Sequence, residues 1–581
     1  MKLKQLFVAL LTWIVFFFLL ETTGRYHFYY VEQFQLFRFA SDYVLGQLAQ
    51  VGGVAHLAGA FLTQFFVLPY AGALIISLLL TGITLSLRSI FQQISGKKHL
   101  FLLEYVIAIC LLFTQYDYNY YLSGLVSYLF VTIAWVIWQQ VRGLQNGIAT
   151  GLFSLCLYYA IGPSALLFSA GLLLIGRVGS THSFIPGLVS AGLNLLAAAS
   201  SVWMVWNADY RFAFLPDAYY HPKLAPNSII YATWWILLLG LLLAWALHRM
   251  AEPSGKAGRI GLFTLQLLLV GGLIFKGLPQ FMDIKNYLMK ELDHYTRTQQ
   301  WDRVVQRLSQ EPIKNFLYLN YLNLALTERG TLCDQLFAFN QRGPQSLLVP
   351  WNKSAQVSTL SSDIYFCIGE IGLSQQMAFE ALIGADNPRN YQRLIETNLI
   401  YGHYAVAEKY IRRLEQSLFY RDWAEQHRQL LNRDDLVEAD PVLGPRRRGL
   451  PEANHLSSLQ NVEADLLTRA ERVPQLQTAL AFAGANLLLA KDMNGLEAFL
   501  KRFYQTPVLP TLPRAFQEAI IILSEAHPEV ASHYQISEEM LSRFAQFKQQ
   551  FLQNKQHPQL AQYMRQQFGS NYWIYYLFTN I

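Results

Sequence analysis

The sequence has little charge and few cysteines, and it lacks several familiar enzyme motifs. Only 14% of its 581 residues are charged, and four are cysteines. There is no Walker loop, no G-x-S-x-G and no H-E-x-x-H, so nucleotide hydrolysis, serine catalysis and zinc hydrolysis have no motif to rest on. The formal net charge of +6 does not indicate nucleic acid, because many basic residues of the first half fall in short loops between apolar segments. We expect no nucleic-acid partner and no resident cofactor or metal, although dependence on a divalent ion stays open.

The four cysteines predict no metal centre. Cys110 and Cys156 lie inside apolar segments, where a core position is the simplest interpretation. Cys333 and Cys367 lie 34 positions apart in the more charged half of the chain. A disulfide between them stays open, because two cysteines at this spacing neither make a zinc site nor establish a bridge.

Apolar residues are abundant, and they divide the chain into two unlike halves. They make up 53% of the sequence, and the mean hydropathy is +0.21. Apolar runs recur up to about residue 280, and amphipathic helices with charged residues follow. We therefore predict an all-α protein made of a polytopic membrane bundle and a water-soluble helical part. The predicted ranges are a membrane domain at 1–280, a helical domain at 281–433, a linker at 434–456 and a second helical section at 457–581.

The apolar runs predict about nine membrane spans. Some are shorter than the roughly 20 residues that a straight crossing needs. The first run begins like a signal peptide, but no small-x-small cleavage site precedes Glu21, so we expect an uncleaved span. Gly162-Pro163 predicts a turn between two short helices. The predicted spans are Leu6–Leu20, Tyr70–Ile90, Leu100–Phe113, Leu122–Val141, Gly147–Ile161, Ser164–Ile175, Phe184–Trp206, Ile229–Leu247 and Ile260–Phe275.

The segment after the first span predicts helices on the membrane surface, within residues 30–68. A helix over Gln33–Gln50 would carry a narrow polar stripe and otherwise apolar residues, which is typical of an interfacial helix. Gly52-Gly53 would end it, and a second helix would run over Val54–Leu68 before Pro69. The membrane lipids are therefore expected partners.

The distribution of cations predicts the orientation in the membrane. Alternate loops carry most of the basic residues of the first half, which marks those loops as cytoplasmic. An odd number of spans then places the N-terminus inside and everything after about Lys276 outside, which predicts a bacterial inner-membrane protein with a periplasmic C-terminal part. The marking cations are Lys2, Lys4, Arg88, Lys97, Lys98, Arg142, Arg177, Arg249, Lys256 and Arg259.

The second half alternates helices of about 10–16 residues with short turns. Similar joints occur at 300–304, 331–335, 402–407 and 494–499, and the clearest has Gly402, Tyr404, Ala407 and Tyr410. This pattern resembles degenerate tetratricopeptide repeats, which implies an α-solenoid of helix pairs. Within 434–456, the run Arg446-Arg447-Arg448 is either a docking loop for an anion or part of a solvated linker. The aromatic run at 568–578 either packs on the membrane interface or caps the last repeat.

Polar residues of the predicted outer loops are the candidates for chemistry. A bundle would bring these loops to one membrane face, with carboxylates beside cations at the depth of lipid headgroups. Such a pocket suits a lipid-linked phosphate, because a cation neutralises the leaving phosphate while a carboxylate takes a proton from an acceptor hydroxyl. The alternative is that each residue is a rim residue solvated by headgroups. The candidates are Glu21 and Asp117 for catalysis, and Arg25, His27, Glu32, Asn119, Arg211, His221 and Lys223 for substrate binding.

A first span followed by an acidic residue, two surface helices and a bundle with a periplasmic C-terminal domain resembles the GT-C class of polyprenyl-phosphate-dependent glycosyltransferases. The resemblance covers residues 1–280 and implies that Glu21 is the acidic residue after the first span and that Asp117-Tyr118-Asn119 stands where members place a second acidic motif. This chain departs from that pattern, because acid-x-acid is absent there and about nine spans is fewer than many members have. The whole chain also resembles an uncharacterised family of Bacteroidota multipass proteins with helical-repeat tails, which implies no activity.

Two functions follow from these patterns. The first is a membrane glycosyltransferase that takes a sugar from a polyprenyl-phosphate donor on the periplasmic face. The second is a non-enzymatic membrane anchor whose helical repeats hold protein partners of the cell envelope. A polar cavity between the first outer loop and the Asp117 loop would favour the enzyme, and a lined groove in the repeats would favour the scaffold.

Overall fold

The computed structural model describes residues 3–96, 102–175, 184–204, 209–248, 255–282, 284–310, 313, 315–450, 466–467 and 477–581. Regular structure in these ranges is helical, with only isolated β-bridges and no strand. The all-α prediction is therefore confirmed. The expected cytoplasmic cations Lys2, Lys97, Lys98, Arg177 and Arg249 lie outside the described residues, as does most of 451–476.

The chain forms two compact units. The first contains Met1–Glu291 together with Gln416–Leu418, and the second contains Leu292–Glu415 and Phe419–Ile581. The boundary between Glu291 and Leu292 falls inside a helix, at 284–297.

The first unit is an apolar helical bundle. Its helices are α1 (Leu3–Glu32), α2 (Ser41–Leu48), α3 (Gly53–Thr63), α4 (Ala71–Ser95), α5 (Leu103–Thr114), α6 (Leu122–Gln140), α7 (Gly147–Ile161), α8 (Ser164–Ile175), α9 (Ile185–Met204), α10 (Tyr210–Phe214), α11 (Ser228–His248) and α12 (Lys256–Phe281). Within the described residues, six of these are long and apolar enough to cross a membrane, namely α1, α4, α6, α9, α11 and α12. They indicate membrane association.

The remaining three predicted spans are shorter helices. α5 has 12 residues, α7 has 15 and α8 has 12. The turn predicted at Gly162-Pro163 is confirmed, because α7 ends at Ile161 and α8 begins at Ser164. Gly162 has φ +72°, a left-handed backbone that glycine adopts without steric cost. The break at Gly52-Gly53 is confirmed in the same way, with φ +77° at Gly52.

The predicted helix over Gln33–Gln50 is wrong for its first half. α1 continues to Glu32, a turn follows at 33–34, and residues 36–40 have no regular secondary structure before α2 begins. Leu36 and Phe37 are both 5% exposed, so their side chains are buried rather than laid on a surface. Burial of these side chains outweighs the local preference of the segment for a helix. The second predicted helix is confirmed as α3 and the short 3-10 turn at Gln64–Val67.

The core of the first unit lies among its central helices. α4 packs against α1, α5, α6 and α11, while α8 packs against α6, α7, α9 and α11. Hydrogen bonds between helices accompany this packing. The Tyr128 and Thr233 hydroxyls are 2.8 Å apart, and the Trp135 ring nitrogen donates to the Phe168 carbonyl at 3.0 Å. Cys110 is buried here as expected, whereas Cys156 is exposed on α7 and is not a core residue.

The second unit is a succession of helices in which neighbours pack on each other. They are α13 (Ile284–Arg297, from Leu292 onward), α14 (Trp301–Ser309), α15 (Phe316–Glu328), α16 (Leu332–Gln335), α17 (Ala355–Cys367), α18 (Ile371–Gly384), α19 (Pro388–Tyr401), α20 (Tyr404–Glu415), α21 (Arg421–Arg428), α22 (Asp434–Ala439), α23 (Leu443–Arg448), α24 (Gln477–Ala490), α25 (Met493–Phe503), α26 (Arg514–Ala526), α27 (Pro528–Ala531), α28 (Glu538–Gln553), α29 (Leu560–Phe568) and α30 (Tyr572–Phe578).

A residue with a left-handed backbone lies at the start of each of the four predicted joints or just before it. These residues are Gln299, Gly330, Gly402 and Lys491, with φ between +53° and +73°. A left-handed residue ends a helix and reverses the chain within a few positions. At the clearest joint, Ala407 is fully buried, and α20 packs on α19. The helices on either side of the joints at 331–335, 402–407 and 494–499 pack on each other.

The arginine run at 446–448 is held inside the second unit. Arg446 donates from Nε to the Phe366 carbonyl at 2.7 Å, Arg447 pairs with Glu438 at 3.3 Å, and Arg448 pairs with the same carboxylate at 3.4 Å. The run lies in α23, which packs on α19. All three guanidinium groups therefore have partners in their own unit, and the Arg448 side chain is 46% exposed.

The aromatic C-terminus is packed within its unit. Tyr572, Trp573, Ile574 and Tyr575 of α30 are all buried. The Trp573 ring nitrogen donates to the Glu518 carbonyl at 2.9 Å, and the Glu518 carboxylate accepts from the Tyr572 backbone N–H at 2.8 Å. These aromatic side chains therefore pack within the second unit. Cys333 and Cys367 are both buried free thiols, so they form no disulfide.

Candidate functional site

Four loops of the first unit meet at one end of the bundle. The Gly52 N–H donates to the Tyr159 carbonyl at 2.9 Å, which joins the α2–α3 loop to the end of α7. The Tyr219 hydroxyl donates to the Ile161 carbonyl and accepts from the Ser164 N–H at 3.2 Å, which adds the loop before α11. Loop 115–121 is joined to 219–221 by two backbone hydrogen bonds, Tyr121 N to Tyr219 O at 2.9 Å and His221 N to Asn119 O at 3.0 Å. The loops predicted to share one membrane face therefore lie together.

Loops predicted for the other face meet at the opposite end. The His248 ring nitrogen Nδ1 lies 3.2 Å from the Ser95 carbonyl, so the ends of α11 and α4 are neighbours. The Leu102 N–H donates to the Gln266 side chain at 2.9 Å, which places the start of α5 beside α12. The grouping of loops agrees with the predicted alternation of the helices.

The last third of α1 lies against loop 115–121. The Thr23 and Tyr116 hydroxyls are 2.5 Å apart. The Tyr118 ring packs on Tyr30 and Phe34, with centroid distances of 5.5 and 5.3 Å. Aromatic rings therefore occupy the space between the end of α1 and this loop.

Glu21 and Arg25 form an ion pair on one face of α1. The Arg25 Nε donates to Glu21 Oε1 one turn away, an arrangement that favours the helix. Glu21 is 8% exposed, whereas the Arg25 side chain is 45% exposed. A buried carboxylate thus holds a cation whose other donors reach the surface, directly after the apolar part of α1.

Tyr70, the residue directly before α4, contacts the Arg25 side chain of this pair. Its ring centroid lies 5.6 Å from the Arg25 guanidinium carbon, within the range of cation–π contacts. Its backbone has φ +67°, which costs about 1–2 kcal/mol for a residue with a side chain. The sequence predicted Tyr70 only as the first residue of a span. Pro69 before it is the one local signal of an unusual junction, and that signal does not specify a left-handed backbone.

His27 lies on a different face of α1. Six residues separate it from Glu21, which places the two side chains about 120° apart around the helix. Its Nδ1 is 3.0 Å from the Lys290 Nζ, and both residues are almost completely buried. The Lys290 Nζ also lies 5.4 Å from the centroid of Tyr118. Lys290 is a residue that the sequence analysis missed, because it lies in α13, beyond the membrane half as predicted.

Glu32 ends α1 and is also buried. It accepts a hydrogen bond of 2.5 Å from the Gln33 side chain, and the two residues are 2% and 3% exposed. Glu32 is seven residues, or about two turns, from Arg25 along the helix, so it is a separate polar position. Its carboxylate is oriented by protein groups rather than by solvent.

Asp117 has three donors from its own unit. Its Oδ1 accepts from the Asn119 N–H at 3.0 Å, and its Oδ2 accepts from the Tyr220 hydroxyl at 2.8 Å and the Asn227 amide at 2.5 Å. Burial, and then the charge of Asp117, raises the pKa of the Tyr220 hydroxyl, which keeps it protonated as a donor. Asp117 therefore ties loop 115–121 to the loop before α11. Tyr220 and Asn227 were missed because they lie more than 100 positions away in sequence.

The loop before α11 holds the remaining candidates. The Arg211 Nε donates to Asp209 at 2.6 Å, and its Nη1 is 3.9 Å from Asp217, which accepts from the Tyr231 hydroxyl at 2.7 Å. The His221 ring nitrogen Nδ1 accepts from the Lys223 N–H at 3.3 Å, and Lys223 itself is exposed.

The structure therefore brings most of the candidates into four groups, and Glu32 lies apart from them. The groups are Glu21 and Arg25 with Tyr70; His27 with Lys290; Asp117, Asn119, His221 and Lys223; and Arg211 with Asp209 and Asp217. Across the described residues, no three histidine, cysteine or carboxylate side chains are grouped to hold a metal ion. The arrangement at Glu21 and Arg25 can offer an anion a partly exposed guanidinium and, beside it, a carboxylate able to accept a proton.

The second unit contains an apolar cavity of about 230 Å³ near the C-terminus. Large apolar side chains form most of its wall, and Glu525 and Lys548 form an ion pair at its border. Its apolar lining includes Phe544, Phe547, Phe551, Leu552, Trp573 and Leu577.

The model of one protein family, described as a family of unknown function (DUF6057), matches residues 1–579. Because the match spans nearly the whole chain, the chain belongs to this family. No curated protein and no solved structure matches it.

Proposed function

We propose that this member of DUF6057 is a GT-C-like membrane glycosyltransferase, which takes a sugar from a polyprenyl-phosphate donor on the periplasmic face of a bacterial inner membrane. The observation that supports this proposal is the Glu21–Arg25 pair. Arg25 presents a partly exposed cation five residues after the apolar run Leu6–Leu20, within the candidate span Gln5–Glu32. A lipid phosphate at the end of that run would lie beside it. Glu21, beside it, supplies a carboxylate.

The proposed reaction uses both residues. Arg25 binds the donor phosphate by charge-assisted hydrogen bonds, and the phosphate thereby competes with Glu21 for the guanidinium. The released Glu21 carboxylate accepts the proton of an acceptor hydroxyl. The hydroxyl oxygen forms a bond to the anomeric carbon, while the bond from that carbon to the phosphate oxygen breaks and leaves its electron pair on the phosphate. Arg25 stabilises the charge that develops there.

The other candidates have supporting roles in this proposal. Asp117, with Tyr220 and Asn227, holds loop 115–121 in place beside α1. Lys223 and His221 lie in the loop before α11, which is hydrogen-bonded to loop 115–121. In this proposal they contact the lipid headgroups or the acceptor. The orientation follows from the predicted cation asymmetry, with the N-terminus in the cytoplasm.

Arg25→Gln tests the proposal. It removes the cation but leaves an amide that reaches Glu21, so the protein should fold normally. Membranes that carry the variant should transfer sugar from a labelled prenyl-phosphate donor at least tenfold more slowly, because a charge-assisted hydrogen bond of about 1.5–3 kcal/mol is lost. Arg142→Gln, which changes an exposed cation in a loop predicted for the other face, is the matched control and should transfer normally. Unchanged transfer by Arg25→Gln contradicts the proposal.

A second function is favoured by the apolar cavity of the second unit. In this alternative, the protein is a membrane-anchored scaffold, and the helices of its second unit hold an envelope protein partner. Leu552 and Leu577 border the cavity and are 58% and 46% exposed, so Leu552→Asp and Leu577→Asp alter the opening without burying a charge. An envelope defect in these variants, together with a normal envelope in Arg25→Gln cells, would favour the scaffold over the enzyme.

A further inference from the structure

Tyr70 combines two features that rarely occur together. Its backbone is left-handed, with φ +67° and ψ −13°, which is unfavourable for an aromatic residue. Its side chain is nevertheless 56% exposed, so burial of the ring does not compensate for the strain. Strained residues that the core does not require occur preferentially at functional sites.

The strained backbone determines where the ring lies. Tyr70 directly precedes α4, and its carbonyl accepts the first hydrogen bond of that helix from the Leu74 N–H at 2.9 Å. The ring is directed to the Arg25 guanidinium at 5.6 Å. Because more than half of the side chain remains exposed, the ring offers free surface next to the cation.

We propose that Tyr70 is the sugar platform of this site, on which the pyranose ring of a prenyl-phosphate sugar stacks while Arg25 binds the phosphate. This inference rests on the proposed function. The anomeric carbon is joined to the phosphate through one oxygen, so the sugar and the phosphate are neighbours, as are Tyr70 and Arg25. The apolar C–H face of a hexose packs on an aromatic ring, whereas the phosphate requires a cation. The left-handed backbone holds the platform in place before the donor binds.

The test separates the sugar from the phosphate. The full-length protein is placed in phosphatidylcholine nanodiscs, and binding is measured for farnesyl-phosphoryl-glucose, farnesyl phosphate and farnesol. Tyr70→Asn removes the ring and keeps a residue that tolerates the left-handed backbone and begins helices well. Tyr70→Phe keeps the ring. Tyr159→Asn, at a 60% exposed tyrosine at the same end of the bundle, is the matched control.

Tyr70→Asn should bind farnesyl-phosphoryl-glucose roughly tenfold more weakly, while binding of farnesyl phosphate changes by less than about twofold. Its unfolding temperature should be equal to that of the wild type or higher, because the strain is relieved. Tyr70→Phe and Tyr159→Asn should bind both probes normally, and farnesol should bind weakly to all variants. An equal loss for both probes, unchanged binding, or a lower unfolding temperature in Tyr70→Asn overturns the platform.

Transfer of glucose to an acceptor is measured in the same preparations, so that the two proposals fail in different ways. If the wild type transfers sugar and Tyr70→Asn binds and transfers equally well, only the platform is wrong. If Tyr70 discriminates the sugar-bearing probe but no transfer occurs, the glycosyltransferase is wrong and the platform stands as a binding site. Absence of any binding of farnesyl-phosphoryl-glucose by the wild type contradicts both.

Discussion

Glu21 and Asp117 are carboxylates at the same end of the first unit, yet their surroundings differ. Asp117 accepts hydrogen bonds from a backbone N–H, a tyrosine hydroxyl and an amide of its own unit. Glu21 pairs with Arg25, a cation that is itself partly exposed. A ligand can take over the partner of Glu21 without unfolding a loop, whereas the partners of Asp117 are built into two loops. Under the proposed function, this difference gives Glu21 the chemical role and Asp117 a structural one.

The largest expected effect comes from Glu21→Gln. The amide keeps the size of the side chain and can still bond Arg25, but it cannot accept the proton of the acceptor. Sugar transfer should fall by about 10²–10⁴-fold, as is typical when a general base is lost, while the unfolding temperature in detergent stays the same. Asp42→Asn, at a carboxylate that is 73% exposed in the same outer segment, is the control and should be fully active.

Glu21→Gln could instead unfold while its transfer per folded molecule stays normal. That outcome would contradict the catalytic role of Glu21. Glu21 would then be the structural carboxylate, and its pairing with Arg25 would serve α1 alone.

The next effect is on stability and comes from Asp117→Ala. The Tyr220 hydroxyl would lose its acceptor, and a buried donor without a partner costs about 1–3 kcal/mol. The free energy of unfolding should fall by that amount, with local opening of loop 115–121 seen by hydrogen exchange. Transfer per folded molecule should change little.

Asp117→Asn sharpens this prediction, because its amide oxygen still accepts from Tyr220 and the loss should be smaller. If Asp117→Ala instead abolishes transfer in a protein of normal stability, Asp117 belongs to the reacting groups and the division of roles is wrong.

The physical origin of each feature decides how much of it the sequence could predict. Apolar helices and turns depend on local sequence. Among the described residues, six of the nine predicted spans are helices long and apolar enough to cross a membrane, and the turns at Gly52-Gly53 and Gly162-Pro163 are confirmed. The burial of Ala407 follows from a short helical pattern in the same way. The absence of a helix at Leu36 and Phe37 depends instead on the burial of their side chains, which overrides their local preference for a helix.

The candidate site was predictable only in its residue types. The sequence identified Glu21, Arg25 and Asp117 as polar groups near headgroup depth, but it could not show that Arg25 already pairs with Glu21. The partners of Asp117 come from 103 and 110 positions away, and no local pattern connects them. No local sequence pattern predicts the left-handed backbone of Tyr70.

The smallest expected effect comes from Tyr220→Phe, which removes the hydroxyl that donates a hydrogen bond to Asp117. At neutral pH, the loss of one hydrogen bond should lower the free energy of unfolding by about 1 kcal/mol.

Burial and the charge of Asp117 raise the pKa of Tyr220 above its ordinary value of 10. Above pH 10, the unfolded chain therefore loses this proton while the folded protein keeps it, and stability falls as the pH rises, by up to about 1.4 kcal/mol per pH unit for one such group. The variant lacks this proton, so its unfolding free energy should decrease less steeply between pH 10 and 11 than that of the wild type. Equal slopes would show that Tyr220 ionises alike in both states, and Asp117 would then be held by Asn119 and Asn227 alone.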